Sequence, residues 1–384
     1  MSVLEVFLAI GLGITLLTAV MTLINVPILK RRLGQPGKVS GCTVSVCIPA
    51  RNEADNIVQV VESVLAQTLP EGVKLEVLLY DDESEDGTAE LIAGLIQRDP
   101  RVRTVATHPM ENGWSGKMWA CEQLGSVATG DWILFIDADV RLTKQAIART
   151  LEAAEGKEDL GLLSCFPEQQ TETIAERLIV PMIHFILLSY LPFPRMRMST
   201  SPSASAGCGQ YLFVRTQDYR EAGQHTSIRN TMHDGIKLTR AVRRLGRHTD
   251  LIDGLGVARC RMYNGFSACW DGFTKNAYEG LGSVPLLLFL TFMHLVGHVF
   301  PWVYLLISIV LGDLSQPATT FAGLAVIVSI TQRTILAMAF NQPWTGVLLH
   351  PVGVSLMTTI QWASFAKQAR GKRTWRGRTL GAEA

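Results

Sequence analysis

The chain has 384 residues, of which 48% are hydrophobic and 18% charged, with a formal net charge of +1. A charged share below the usual one of about a quarter argues against two soluble domains and for one large domain joined to membrane segments. The near-neutral balance excludes a global field that would recruit nucleic acid. The seven cysteines (Cys42, Cys47, Cys121, Cys165, Cys208, Cys260, Cys269) lack the close pairs of zinc or redox sites, and read as small buried side chains in a reducing compartment.

Residues 3–29 are apolar except for Glu5 and Asn25 and run into Lys30-Arg31-Arg32. That length exceeds the roughly 20 residues a bilayer crossing takes. The positive charge follows the apolar run instead of preceding it, so an uncleaved anchor over 1–32 is expected, not a signal peptide. The positive-inside rule then sets the N-terminus outside a plasma (inner) membrane and the chain beyond Lys30 in the cytoplasm.

Residues 41–280 alternate short β-branched runs with helical stretches, which predicts an α/β domain with a mainly parallel sheet. Strands are expected at 44–48, 75–80, 102–106 and 132–136, with helices at 54–67 and 88–98. Ligands of open α/β sheets bind beyond the carboxyl ends of the strands. Three motifs fall there: Pro49-Ala50-Arg51-Asn52-Glu53, Asp81-Asp82-Glu83-Ser84 and Asp137-Ala138-Asp139. The small-residue stretch 199–205 is expected to be a mobile loop.

Segment 174–198 is apolar, broken by Pro181, Pro192 and Pro194, and carries Arg195 and Arg197 near its end. It reads either as core or as a helix lying in the membrane interface. Phe266, Trp270 and Phe273 leave the same two readings open. Over 283–366 three candidate spans stand near 284–310, 318–340 and 344–366, followed by a basic tail, 367–384, with Arg370, Lys372, Arg373 and Arg376. Gln332 and Arg333 make the second candidate the weakest. Three spans would carry the tail outside against its charge, so one is expected to be re-entrant, interfacial or a hairpin. His294 and His298 are four apart with no third ligand at a recognisable spacing, and read as interfacial histidines.

The acidic motifs suggest chemistry. A nucleotide-diphosphate leaving group needs its developing charge neutralised, which a hard divalent cation on carboxylate oxygens does without proton transfer. Asp137 and Asp139 project to one side of an extended segment and suit that task, or are simply turn residues after a strand. The adjacent Asp81 and Asp82 repel each other unless cations or donors compensate, and Asp82 can accept the imide hydrogen of uracil. Asp86 reads as the cap of the next helix. The Gly113-Trp114-Ser115-Gly116-Lys117 loop offers a cation to a diphosphate, with a solvated surface position as the alternative for Lys117.

Together, the Pro-x-Arg-Asn-Glu opening, the Asp-Asp-x-Ser-x-Asp-Gly-Thr segment at 81–88, the Gly-Lys loop and the Asp-x-Asp resemble the inverting, GT-A-fold glycosyltransferases of family 2, over residues 44–276. The resemblance implies a nucleotide-sugar site from Pro49, Arg51, Glu53, Asp81, Asp82, Lys117 and Asp137. It implies a divalent metal, Mg or Mn, on Asp139 and Asp137, and a general base at Asp234, where the sequence reads His233-Asp234-Gly235 in place of the usual Glu-Asp. The segments 113–120 and 261–276, with Trp270, Lys275 and Asn276, look like the carotenoid and hopanoid subgroup, which implies a UDP-sugar (glucose) donor and a lipid-type, membrane-associated acceptor. The Gln-x-x-Arg-Trp motif of processive polysaccharide synthases is absent. A processive synthase and a non-catalytic membrane scaffold are the alternatives.

Overall fold

The computed structural model describes residues 1–30, 39, 41–154, 157, 159–314, 316–370, 374–375 and 378–379. Arg31 and Arg32 of the expected basic flank, and Gly371, Lys372, Arg373 and Arg376 of the tail, lie outside the described residues. The chain divides into two compact units, one formed by Met1–Ile28, Thr171–Phe193 and Tyr263–Arg370, the other chiefly by Leu29–Gln170 and Pro194–Met262.

In the second unit, Thr43–Ala50 forms strand β1, whose residues are buried on both faces from Val44 onward, as a central parallel strand requires. It is followed by β2 (Lys74–Asp81), β3 (Val102–Thr104), β4 (Trp132–Ile136), β5 (Val140–Leu142), β6 (Leu160–Gln169), β7 (Tyr211–Arg215) and β8 (His248–Cys260). Their order across the sheet is β3-β2-β1-β4-β7-β6-β8-β5. β3, β2, β1 and β4 run parallel. β7 is antiparallel to both β4 and β6, while β8 is parallel to β6 and antiparallel to β5. The sheet is therefore mixed: its parallel half follows the strand and helix alternation in the sequence, and the reversal at β7 carried no such signal.

The crossover helix Ile57–Leu65 buries Ile57, Val60, Val61 and Val64 on the face the spacing predicts. Apolar cores cover both faces of the sheet, one around Val46, Ile48 and Leu134, the other around Cys47, Phe135 and Leu162. Six cysteines are buried, Cys42 is half-buried, and all seven are free thiols. The turn into β4 is so close to β1 that a Cβ on Gly130 would stand 2.7 Å from Thr43 O and 2.8 Å from Ser45 N. Gly130→Ala is expected to cost about 2 kcal/mol, read as a lower melting temperature with no change in donor binding by the folded fraction.

The loop at 199–205 is not left loose. Arg243, 1% exposed, donates from Nη1 to Ser199 O at 2.6 Å, from Nη2 to Met196 O at 2.7 Å, and from Nε to Thr249 Oγ1 at 2.6 Å. A buried guanidinium with its donors satisfied this way ties the loop to the helix Asp234–Arg244 that carries it.

The first unit is helical. Val3–Lys30, Val284–Leu311 and Pro317–Ala339 are long and apolar enough to cross a membrane. The expected third C-terminal candidate is instead broken at Leu349 into Thr345–Leu348 and His350–Ala369, and is not among them, whereas the helix with Gln332 and Arg333 is. Those two residues do not disqualify their helix because both face inward, at 1% and 0% exposure. Val3–Lys30 and Val284–Leu311 meet through small residues: a Cβ on Gly11 would lie 2.6 Å from Val296 O, and one on Gly297 2.4 Å from Ile14 Cγ2. His294 and His298 are buried within this unit. In segment 174–198, Leu178, Ile179, Met182, Phe185 and Leu188 are buried, with Ile174 and Met198 exposed at its ends. On the helix Gly265–Leu281, which carries Trp270, Lys275 and Asn276, Phe266 is exposed and stacks on Trp270 at 5.9 Å, while Phe273 turns inward against Tyr263 at 5.2 Å.

Candidate active site

The first two loops at the carboxyl edge of the sheet are locked to each other by main-chain donors. Asn52 N–H donates to Ser84 Oγ, Glu85 N–H to Asn52 Oδ1, Glu53 N–H to Thr88 Oγ1 and Ala54 N–H to Asp86 Oδ2, each at 2.9 Å. Asp86 also accepts from Thr88 N–H at 3.1 Å, so its role is structural. Asn52 and Glu83 adopt left-handed φ values of 53° and 55°, a conformation that Asn tolerates and Glu takes only under constraint. Pro49 sits opposite Tyr80 in the β1–β2 register.

The two adjacent acids diverge. Asp82 is buried, and Arg51 donates to its main-chain oxygen while lying 3.3 Å from its Oδ2. Asp81 accepts from the hydroxyl of Ser84. Glu53 accepts from Asn56 Nδ2 at 2.9 Å.

Beyond β4 the structure brings three of the expected residues into direct contact. Lys117, near the start of the helix Gly116–Val127, places Nζ 2.6 Å from Asp137 Oδ1 and 2.8 Å from Asp234 Oδ2. Its third donor goes to Gly209 O at 3.2 Å. Lys117 is thus not a solvated surface lysine: the side chain is 19% exposed, against 30% for Asp137 and 8% for Asp234. Asp234 opens the helix Asp234–Arg244, and its Oδ1 accepts from Gly235 N–H at 2.8 Å, where the helix N-terminus favours a negative charge.

The electrostatics follow from that geometry. Burial opposes ionisation of Asp234, but the Lys117 ammonium, with His225 and His233 beyond it, holds its carboxyl below the usual carboxylate range. Burial likewise works against the charge on Lys117, and Asp137 and Asp234 overcome it, keeping the ammonium well above its ordinary value. Asp139 feels Lys117 only weakly. Burial and then repulsion from Asp137 push it up to about 7.

Among the described residues no group of three or more His, Cys, Asp or Glu side chains is arranged to enclose a metal. Asp139 Oδ1, however, is buried without a hydrogen-bond partner. An orphaned carboxylate oxygen beside a second aspartate fits a divalent cation that takes one or two protein oxygens and completes its shell with phosphate and water, the usual habit of Mg.

Sequence reasoning missed the glycines that make this edge possible. A Cβ on Gly209 would lie 1.9 Å from Asp234 Oδ1, and one on Gly207 2.5 Å from both Gly235 O and Thr239 Oγ1. The Gly207-Cys208-Gly209 run facing Asp234-Gly235 was the available signal. Also missed were Cys260, whose Sγ accepts from Gln210 Nε2 at 2.9 Å and which bonds to Asp139, and Arg141, which donates to Asn56 Oδ1 and to Ala138 O, each at 2.7 Å. Trp270, Lys275 and Asn276 belong to the other unit.

The chain is similar to known proteins over most of its length. Residues 45–222 match the family model described as Glycosyl transferase family 2. A 4,4'-diaponeurosporenoate glycosyltransferase of Staphylococcus haemolyticus is 26% identical over 289 residues, 74% of each chain. Its namesake in Staphylococcus aureus is 25% identical over 348 residues, 88% of each chain. Among solved structures, a mannosyltransferase from Pyrobaculum calidifontis in complex with GDP-Man and Mn2+ superposes with a TM-score of 0.55 at 17% identity, covering 96% of this chain and 98% of that one. The chain therefore carries a glycosyl transferase family 2 domain of GT-A fold and is a glycosyltransferase.

Proposed function

We propose that the protein moves one sugar, glucose, from a UDP-sugar to a lipid-type acceptor by a single inverting displacement at the cytoplasmic face of the plasma (inner) membrane. The observation that carries this reading is the contact of Asp137 and Asp234 with one lysine beside the orphaned oxygen of Asp139. One acid for the base and one pair for a metal is what a single displacement needs. The lipid acceptor is supported by the relatives, whose names designate a carotenoid acid as substrate, and by the three apolar helices.

In this mechanism Asp82, held by Arg51, accepts the imide hydrogen of uracil, with Pro49, Glu53 and Asp81 shaping the same pocket. Lys117 leaves its two carboxylates for the diphosphate when donor binds. Asp234, released from Lys117, takes the proton of the acceptor hydroxyl as the glycosidic bond to the diphosphate breaks. A divalent cation, Mg or Mn, would be held by Asp139 and Asp137 and would supply neutralisation of the leaving diphosphate. Phe266 and Trp270, with Lys275 and Asn276 on the same helix, meet the acceptor or the membrane surface.

The domain plan is an anchor over 1–32, a cytosolic catalytic domain over 41–280, membrane helices over 283–366 and a basic tail, 367–384. With three crossings, the catalytic domain and the tail share one side, and the tail's charge then agrees with the positive-inside rule.

Asp139→Ala is expected to abolish Mn-dependent UDP binding in calorimetry with the fold intact, and undiminished binding would remove the metal role. Loss of a hexose-bearing lipid from extracts of cells lacking the gene, followed by mass spectrometry, tests the whole reading. A ladder of long products would instead make the enzyme processive, and a wild type that binds no UDP with metal would make it a scaffold.

A further inference from the structure

The helical unit contains a cation that nothing in the transferase site uses. Arg333, in the middle of an apolar helix, is 0% exposed, and its Nε, Nη1 and Nη2 all lack hydrogen-bond partners. Among the described residues no carboxylate pairs with it. Phe185 presents its ring to it, with the centroid 6.0 Å from Cζ, and a cation–π contact is worth only about 2 kcal/mol even when desolvated. The cost of burying an unpaired charge is several kcal/mol, so the observed arrangement is an incomplete one.

The surroundings say what completes it. The same Phe185 ring is flanked by His298 and His350, both at 5.0 Å, and by His294 at 6.4 Å. His298 Nδ1 and His350 Nε2 share a hydrogen bond of 3.2 Å, His298 Nε2 meets Thr18 Oγ1 at 3.2 Å, and His294 Nδ1 meets Thr358 Oγ1 at 3.0 Å. His350 Nδ1 and His294 Nε2 remain buried without partners. Space is kept at the guanidinium by a glycine: a Cβ on Gly346 would stand 3.2 Å from Nη2. Near the cluster, Met182, Phe185, Ile186, His294, Val354 and Met357 pack closely around a small recess of about 130 Å³.

We propose that Arg333, with His298 and His350 around the same Phe185 ring, is a binding site for the carboxylate of an apolar, membrane-dissolved acid. A planar guanidinium fork matches a carboxylate in two parallel hydrogen bonds. One guanidinium balances one carboxylate, while a phospholipid headgroup is bulkier and must stay at the water interface, away from a fully enclosed side chain. Ionisable groups at such depth are retained for a ligand or a pathway more often than for stability.

The test uses the full-length protein in detergent micelles and native mass spectrometry, with oleic acid as the probe, methyl oleate as its uncharged counterpart and phosphatidylglycerol as the competing anionic lipid. The expected result is one oleate retained per wild-type chain, no methyl oleate, and at least tenfold weaker oleate binding in Arg333→Met. Arg333→Met should melt no lower than the wild type, since it removes an uncompensated charge. On the wild type alone, oleate should raise the melting temperature saturably and methyl oleate should not, a readout independent of the variant. Equal oleate binding by Arg333→Met, equal retention of methyl oleate, or displacement of oleate by equimolar phosphatidylglycerol would each overturn the assignment. No sugar nucleotide enters the assay, so its outcome is separate from that of the transferase reaction.

Discussion

Asp234→Asn is expected to lower kcat by about 10³-fold, within the 10²–10⁴-fold that a positioned general base supplies, while the KM for the sugar nucleotide stays near that of the wild type. Asparagine keeps the shape of the side chain and an oxygen for Lys117, so neither the helix start at Asp234 nor the lysine contact is lost. What disappears is the ability to take a proton. Because kcat and kcat/KM should fall together, the missing interaction is one made only in the transition state. Single-turnover rates with donor in excess would measure it. An Asp234→Asn enzyme that keeps its full rate would show that the acceptor group is ionised before attack, as a carboxylate is, and that no base is required.

Lys117→Met is expected to have the next largest effect, on stability as well as on rate. Without the ammonium, Asp137 and Asp234 face each other with no cation between them. Removing one partner from a buried pair costs about 3–5 kcal/mol, and the lower end, about 3 kcal/mol, is expected here because Asp137 keeps 30% of its side-chain surface in water. The pH dependence should change in a defined direction. In the wild type the cation holds Asp234 below the ordinary carboxylate range, so the stability this pair contributes is present above the unfolded value near 4 and is lost only as pH falls through the lower folded one. In Lys117→Met burial acts unopposed, the folded value rises, and the acid limb of the rate profile should move up. Melting temperature and kcat/KM measured against pH check both parts, and an unshifted acid limb would disconnect Lys117 from Asp234 in solution.

Much of the parallel half of the sheet was legible because three of its four strands are short apolar runs ended by their own motif. Periodicity placed Ile57, Val60, Val61 and Val64 on the buried face directly. The Pro-x-Arg-Asn-Glu opening, Asp81-Asp82 and the Asp-x-Asp could be put at one edge from strand ends alone. What could not be read was contact across distant sequence, such as Lys117 bridging Asp137 and Asp234, since pairwise charge contacts leave no periodic trace. The antiparallel β7 was equally silent, its four buried residues fitting either direction of pairing. Nothing in the sequence sets Arg243 apart from Arg240 and Arg244, yet it is the residue that holds the serine-rich loop. Arg333 looked like an argument against a membrane helix, because a sequence window cannot tell a lipid-facing charge from one turned into the protein.

Gly209 has a bearing on how relatives of this protein should be sorted. With no room for a Cβ beside Asp234 Oδ1, any side chain there would push the carboxylate off its place while every acidic motif stayed intact. On the proposed role of Asp234 as base, a homologue that retains Asp-x-Asp but has lost the glycine is expected to look competent by its motifs and to turn over poorly. Position 209 is then a candidate marker for separating working enzymes from decayed copies in a genome, one that the acidic signature by itself does not provide.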